Sequence, residues 1–297
     1  MVMLSTNVHD CALAFEGGGY RASYTAGFAN MLLRHGVYFD FVCGISAGSS
    51  HTVDYASRDE WRVRAGFIEL SDRRPQAGGL GSLLRGNGYF NADYDYLGCV
   101  EDGYMPFDWD TFAANPVRLR IQSFAAETGA SVRYTKRDMV DIPSMMERVR
   151  ASSTLPVVMK PPVIDGLTMY DGGLGEGGGI PTHLAEEAGF DRVVLVLTRP
   201  KGYRKEAPRP RDLVLYRRIA KDNELLYQAL ATRHERYNVA LAHAEMLERE
   251  GRAYVFRPTT MPVTSMTLDR AKLEASYAAG LEQAEEEWPA VEKFIFG

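Results

Sequence analysis

Near its N-terminus the chain alternates between short apolar runs and stretches of helical periodicity. Cys11–Phe15 is an apolar run that ends at Glu16 and three glycines, Gly17, Gly18 and Gly19. From Arg21 to Arg34, Tyr24, Phe28, Met31 and Leu32 fall near one face of a predicted helix, which His35-Gly36 closes. A second apolar run, Phe39 to Cys43, leads into Gly44-Ile45-Ser46-Ala47-Gly48 and a second predicted helix through Ala56. Strand, glycine turn, helix, strand, tight turn, helix is the order of a parallel sheet with right-handed crossovers.

Further along, Ser71 to Asp110 is rich in glycine and aromatics and predicts loops and short helices. Val117 to Ala125 and Ser131 to Thr135 predict strands, and Pro143 opens a helix towards Ala151. Asp165-Gly166 between two apolar runs predicts a hairpin turn. Thr182 to Ala188 predicts a helix, and Val193 to Leu197 a strand buried on both faces. Lys201 to Arg211 is basic and broken by proline, an exposed connector. Asp212 to Glu250 is charged and helical, Tyr254 to Phe256 a late strand, and Asp269 to Phe296 a closing helix. No internal repeat or long linker divides the chain, so one domain is expected over 1–297, with a core at about 10–200 and a helical extension at about 201–297.

Composition narrows the classes. With 45% hydrophobic and 25% charged residues, the chain reads as an ordinary globular protein. A net charge of −5 gives no support to a nucleic-acid binder or a polybasic membrane anchor. No window approaches the roughly 20 apolar residues of a membrane span. The first ten residues lack a secretory pattern. Three sparse cysteines, Cys11, Cys43 and Cys99, fit reduced thiols, and the expected location is the cytoplasm.

The chemistry concentrates in three short blocks. Gly44-Ile45-Ser46-Ala47-Gly48 is G-x-S-x-G between a strand and a helix, a turn that admits only small neighbours and presents the serine hydroxyl at the strand's C-terminal end. Gly17, Gly18 and Gly19, also between strand and helix, can aim N–H groups at negative charge near Ser46, with Arg21 beside them. The same glycines fit a dinucleotide fingerprint through Ala22, the reading of a nucleotide-dependent oxidoreductase. Where its ribose-binding acid would stand, however, the chain has the Gly44 to Gly48 turn. A serine nucleophile needs a base. None of His9, His35, His51, His183, His234 and His243 has a setting that singles it out. Asp171, followed by Gly172 and Gly173, reads as a base or simply as a turn residue. No His/Cys/Asp cluster has metal-ligand spacing, and no metal or cofactor is expected.

Glu16-Gly17-Gly18-Gly19-Tyr20-Arg21, Gly44 to Gly48 and Asp171-Gly172-Gly173, in this order and spacing, resemble the signature blocks of the patatin-like phospholipase family. Ala26-Gly27, Ala151 to Pro156 and Gly189-Phe190-Asp191 add to the likeness, which covers about the first 200 residues. The resemblance implies a three-layer α/β fold with a mainly parallel central sheet flanked by helices. It also implies a Ser46–Asp171 dyad and an oxyanion hole at Gly17, Gly18, Gly19 and Arg21. The implied substrate is a lipid or other acyl ester; transient contact at a membrane surface through an apolar rim is a separate expectation. Ala22, where the family commonly has glycine, implies a slightly tighter loop, and the run Gly175 to Gly179 implies a mobile one beside Asp171. A catalytically silent binding module of the same fold is the competing expectation. Retention of both Ser46 and Asp171 argues against it.

Overall fold

Cys11, Leu13 and Phe15 of the first strand join one hydrophobic layer, and Ala12 and Ala14 join another. This two-residue alternation is that of a strand covered on both faces. The same division recurs late in the chain, where Val194 and Val196 face the first layer and Val193 and Leu195 the second. A computed structural model describes residues 4–86 and 88–297. Its strands are β1 (Cys11–Phe15), β2 (Phe41–Ile45), β3 (Arg118–Ala125), β4 (Ser131–Thr135), β5 (Val163–Ile164), β6 (Leu167–Asp171), β7 (Arg192–Val196) and β8 (Ala253–Phe256). The helices of eight residues or more are α1 (Ala22–Arg34), α2 (Ala47–Ala56), α3 (Ile142–Ser153), α4 (Pro210–Ala220), α5 (Glu224–Ala231), α6 (Arg233–Arg249) and α7 (Arg270–Phe296).

One sheet runs in the order β5-β6-β3-β2-β1-β7-β8, with β4 also paired to β3. The pairings β3–β2, β2–β1, β1–β7 and β7–β8 are parallel; β4, β5 and β6 pair antiparallel. Residues of α1, α2, α3 and α7 cover one face. The other is covered by α6, through Tyr237, Leu241, Ala244 and Leu247, and by Leu184 and Ala185 of a short helix. The chain is therefore a three-layer α/β structure around a mainly parallel sheet, as the alternation of its elements predicts.

The C-terminal region is built into this architecture. Segment 253–256 is a strand of the sheet, and α7 lies along α1. There Tyr24 Oη donates to Gln283 Oε1 at 2.6 Å, and Asn30 Nδ2 to Tyr277 Oη at 2.9 Å. All three cysteines are buried and free, and burial pushes the Cys11 thiol up to about 12 and the Cys99 thiol to about 11. Protonated thiols in such a setting are inert. The aromatic stretch divides between two roles: Phe107 and Trp109 pack on Phe112, whereas Phe90 and Tyr96 line a cavity.

His51 of α2 is fully buried beside Phe15 and Phe67. Burial pushes its imidazole down to about 3, against the hydrogen bond with Ala22 O that favours the charged form. The neutral ring takes up a proton only on unfolding. Its contribution to stability is complete above about 6.5 and lost as pH falls towards about 3, at about 1.4 kcal/mol per pH unit. Between pH 7 and 5, wild type is therefore expected to lose more stability than His51→Gln, read from urea midpoints. Parallel curves would show that the imidazole is not held neutral.

Candidate active site

The turn after β2 is shaped by steric exclusion. Ser46 stands at φ 58°, ψ −128°, a conformation that side chains rarely adopt, and its helix α2 begins at the next residue. A Cβ on Gly44 would lie 2.1 Å from Gly48 O, and one on Gly48 would lie 2.1 Å from Phe15 O. Neither position admits any other residue without moving backbone. The turn therefore holds Ser46 at the head of α2, where the helix's free N–H groups and partial positive charge are directed.

Asp171 reaches Ser46 through the pairing of β3. Strands β2 and β4 pair with the same residues of β3 and so lie on its opposite edges. Strand β6 shares Ser123 and Phe124 with β4, which puts it on the β2 edge, beyond the point where β2 ends. Ile45 pairs with Gln122, and Asp171 pairs with the next residue, Ser123. As the chain leaves β2 at Ser46, Asp171 occupies the adjoining place on the same edge. Ser46 Oγ donates to Asp171 Oδ2 at 2.5 Å, and Gly173 N–H donates to Asp171 Oδ1 at 2.7 Å. Asp171 is 1% exposed and Ser46 8%. No histidine hydrogen-bonds to either among the described residues. His183 instead meets Gln122 Oε1 at 2.9 Å.

A layer of polar groups supports the pair. Ser46 N–H donates to Ser152 Oγ at 2.9 Å, and Ser152 Oγ donates to Gln122 O at 2.6 Å. Gln122 Nε2 donates to both Gly172 O and Glu176 O at 2.9 Å, tying the Asp171 loop to β3. Sequence reasoning overlooked Gln122. Its signal was an amide in the inner part of β3, next to Ile121 and close to Phe124, where burial demands partners.

The glycine loop after β1 opens beside Ser46. Gly17 N–H donates to Gly179 O at 3.0 Å, while the N–H groups of Gly18 and Gly19 have no acceptor among the described residues. Glu16 is buried beneath the loop and accepts from Tyr237 Oη at 2.9 Å and from Thr198 N–H at 2.5 Å. The neighbouring run Gly175 to Gly179 takes up tight positive-φ geometry at Gly177, Gly178 and Gly179. Arg21 lines the same cavity. This cavity, of about 250 Å³, is lined by Gly17, Gly18, Gly19, Arg21, Ser46 and Asp171. Phe67, Leu70, Met105, Met146, Val149 and Met159 also line it, as do the charged residues Asp54, Arg62, Asp95, Arg199, Lys205 and Arg233. Among the described residues no cluster of His, Cys, Asp or Glu is arranged to hold a metal, and no helix is long and apolar enough to cross a membrane.

The three-layer α/β fold thus places a serine at a strand-to-helix turn, with a carboxylate against its hydroxyl and a cleft alongside. The family model of patatin-like phospholipases matches residues 13–185, more than half of the chain, and the chain belongs to that family. A second model, a domain of unknown function (DUF6363), matches residues 223–296. The uncharacterized protein YjjU of Escherichia coli (strain K12) is 26% identical over 196 residues, 64% of this chain and 52% of YjjU. The chain thus matches about half the length of that curated relative. Among solved structures, VipD from Legionella pneumophila superposes with a TM-score of 0.45 at 13% identity, covering 93% of this chain and 67% of that one.

Proposed function

We propose that this protein is a serine acyl hydrolase that cleaves carboxylic esters of lipids through an acyl-enzyme, with Ser46 as nucleophile and Asp171 as its base. The observation that carries this reading is the 2.5 Å hydrogen bond from Ser46 Oγ to Asp171 Oδ2, made in a buried site that opens onto a cleft. A short bond to a carboxylate is the geometry for direct proton removal from the hydroxyl. As Ser46 Oγ attacks the ester carbonyl, its proton passes to Asp171. The negative charge that develops on the carbonyl oxygen falls within reach of the unpaired Gly18 and Gly19 N–H groups and the N-terminus of α2. Collapse of the tetrahedral intermediate breaks the ester C–O bond, and Asp171 returns the proton to the departing alcohol. Water then attacks the acyl-Ser46 ester, giving its proton to Asp171, and the free acid leaves as Ser46 regains it. The apolar residues that line the cavity, among them Phe67, Leu70, Met105, Met146, Val149 and Met159, would bury an acyl chain, each methylene contributing about 0.8 kcal/mol.

The test is labelling with a fluorophosphonate probe, mapped by peptide mass, beside turnover of p-nitrophenyl esters. Wild type is expected to be labelled at Ser46 and to turn over the esters. A folded wild type that is neither labelled nor active would leave a silent binding module as the better reading.

A further inference from the structure

We propose that Asp95 is a specificity-determining residue that hydrogen-bonds a hydroxyl group on the acyl chain, so that the enzyme prefers esters of hydroxylated acids. The inference rests on the hydrolase reading above and deepens it by naming the class of acyl group.

The placement of Asp95 follows from its turn. Asp93–Gly98 is a π-helical turn, a rare geometry that is over-represented at functional sites. It packs on α3, whose Ser152 accepts from Ser46 N–H at 2.9 Å and whose Ser153 lines the cavity. Asp95 and Tyr96 of the turn line the same cavity. Burial pushes the Tyr96 phenol up, and so does the charge of Asp171, which places this wall within electrostatic reach of the dyad. Just past the turn, Cys99 Sγ donates to Asp95 O at 3.3 Å. Cys99 belongs to one apolar cluster with Leu70 and Met105, and Tyr94 packs against it. Leu70 and Met105 also line the cavity, so an acyl chain lying on them passes Asp95.

What sets this carboxyl apart is that nothing answers it. Asp54, another acid of the cavity wall, pairs with Arg62 at 3.3 Å. Asp93, two residues before Asp95, pairs with Arg150. Asp171 accepts from Ser46 and Gly173. Asp95 forms no ion pair among the described residues, and its Oδ1 is buried there without a hydrogen-bond partner. Burial holds its carboxyl well above the usual carboxylate range. A protonated carboxyl offers one donor and one acceptor side by side. A hydroxyl group is its match, because it too gives one proton and accepts another. An alkyl chain does neither and leaves the carboxyl buried without a partner, the omission that a hydrogen-bonding site rejects most strongly. Asp95 makes and breaks no covalent bond; it acts on which acyl chain is held for Ser46.

The experiment measures kcat/KM for p-nitrophenyl decanoate and for p-nitrophenyl hydroxydecanoates with the hydroxyl near the carboxyl, at mid-chain or at the tail. Propyl decanoate and hydroxypropyl decanoate, compared by released acid, place the hydroxyl on the alcohol instead. Wild type, Asp95→Leu and Asp95→Ala are assayed, with melting curves to verify folding. Wild type is expected to favour at least one hydroxydecanoate over decanoate by about tenfold or more, and both variants to bring that ratio near one. If Asp95→Leu does not fold, Asp95→Ala reads the same ratio. A wild-type ratio near one at every position, a preference that a folded variant keeps, or a preference shown only for the hydroxypropyl ester overturns the inference. In each of those cases, turnover of p-nitrophenyl decanoate with label on Ser46 keeps the hydrolase reading standing. Absence of turnover on every ester, with no label on Ser46, overturns the hydrolase reading itself and the inference with it.

Discussion

Ser46→Gly is expected to lose ester turnover by about ten-thousand-fold or more and yet to be more stable than Ser46→Ala by about 1 kcal/mol. Both variants remove the hydroxyl, so both lose the nucleophile and the bond to Asp171. They differ in backbone strain. At φ 58°, ψ −128°, alanine retains the clash that serine tolerates, and glycine is free of it. Relief of such strain is worth roughly 1–3 kcal/mol, and the extra freedom of glycine in the unfolded chain takes back roughly 0.5–1 kcal/mol. The sign of the difference is therefore set by the turn. Denaturant midpoints of the two variants, measured beside esterase assays, supply the check. A Ser46→Gly protein less stable than Ser46→Ala would show that the turn is unstrained, and turnover retained by either variant would remove Ser46 from the mechanism.

The second large effect is expected at Asp171. Asp171→Asn keeps the shape of the side chain but presents only one acceptor oxygen. Gly173 N–H is a fixed donor at 2.7 Å from Oδ1, so the amide oxygen is drawn to it and the NH2 group is turned towards Ser46 Oγ. Ser46 must then accept where it formerly donated, and its proton has no base. Turnover should fall by about a thousand-fold or more, with the fold retained because the Gly173 bond survives. Fluorophosphonate labelling at Ser46 should slow in the same proportion. Unchanged labelling kinetics in Asp171→Asn would mean that another group takes the proton.

Much of this arrangement was legible because it is local. The Gly44 to Gly48 turn reads as a nucleophile turn since part of its constraint, the close passage of Gly44 past Gly48, acts over neighbouring residues, whereas the approach of Gly48 to Phe15 of β1 comes only with the sheet. The buried strands β1 and β7 are legible in the same way, as short apolar runs whose alternate residues enter two hydrophobic layers. Asp171 was legible as a candidate from its glycines. Its distance from Ser46 was not, because that distance is decided by which residue of β3 each of β2 and β6 meets.

Three things came only with the tertiary structure. Gln122 gains its meaning from the loops that fold back on it, since an amide in a strand does not announce its acceptors. The N–H groups of the glycine loop divide unequally, Gly17 being taken up by Gly179 from a distant turn, which leaves Gly18 and Gly19 open. Lys205 and Arg233, which line the cavity, were read as charges on an exposed connector and a solvated helix, the usual fate of Lys201 to Arg211 and of the α6 region. Sequence by itself determined the layered α/β architecture, the strained serine turn and the residue types available for chemistry, all properties of short-range sterics and periodicity. Strand register and the packing of β7, α6 and the connector between them decided which of those residues meet. Such contacts depend on long-range pairing, which leaves no local pattern in the chain.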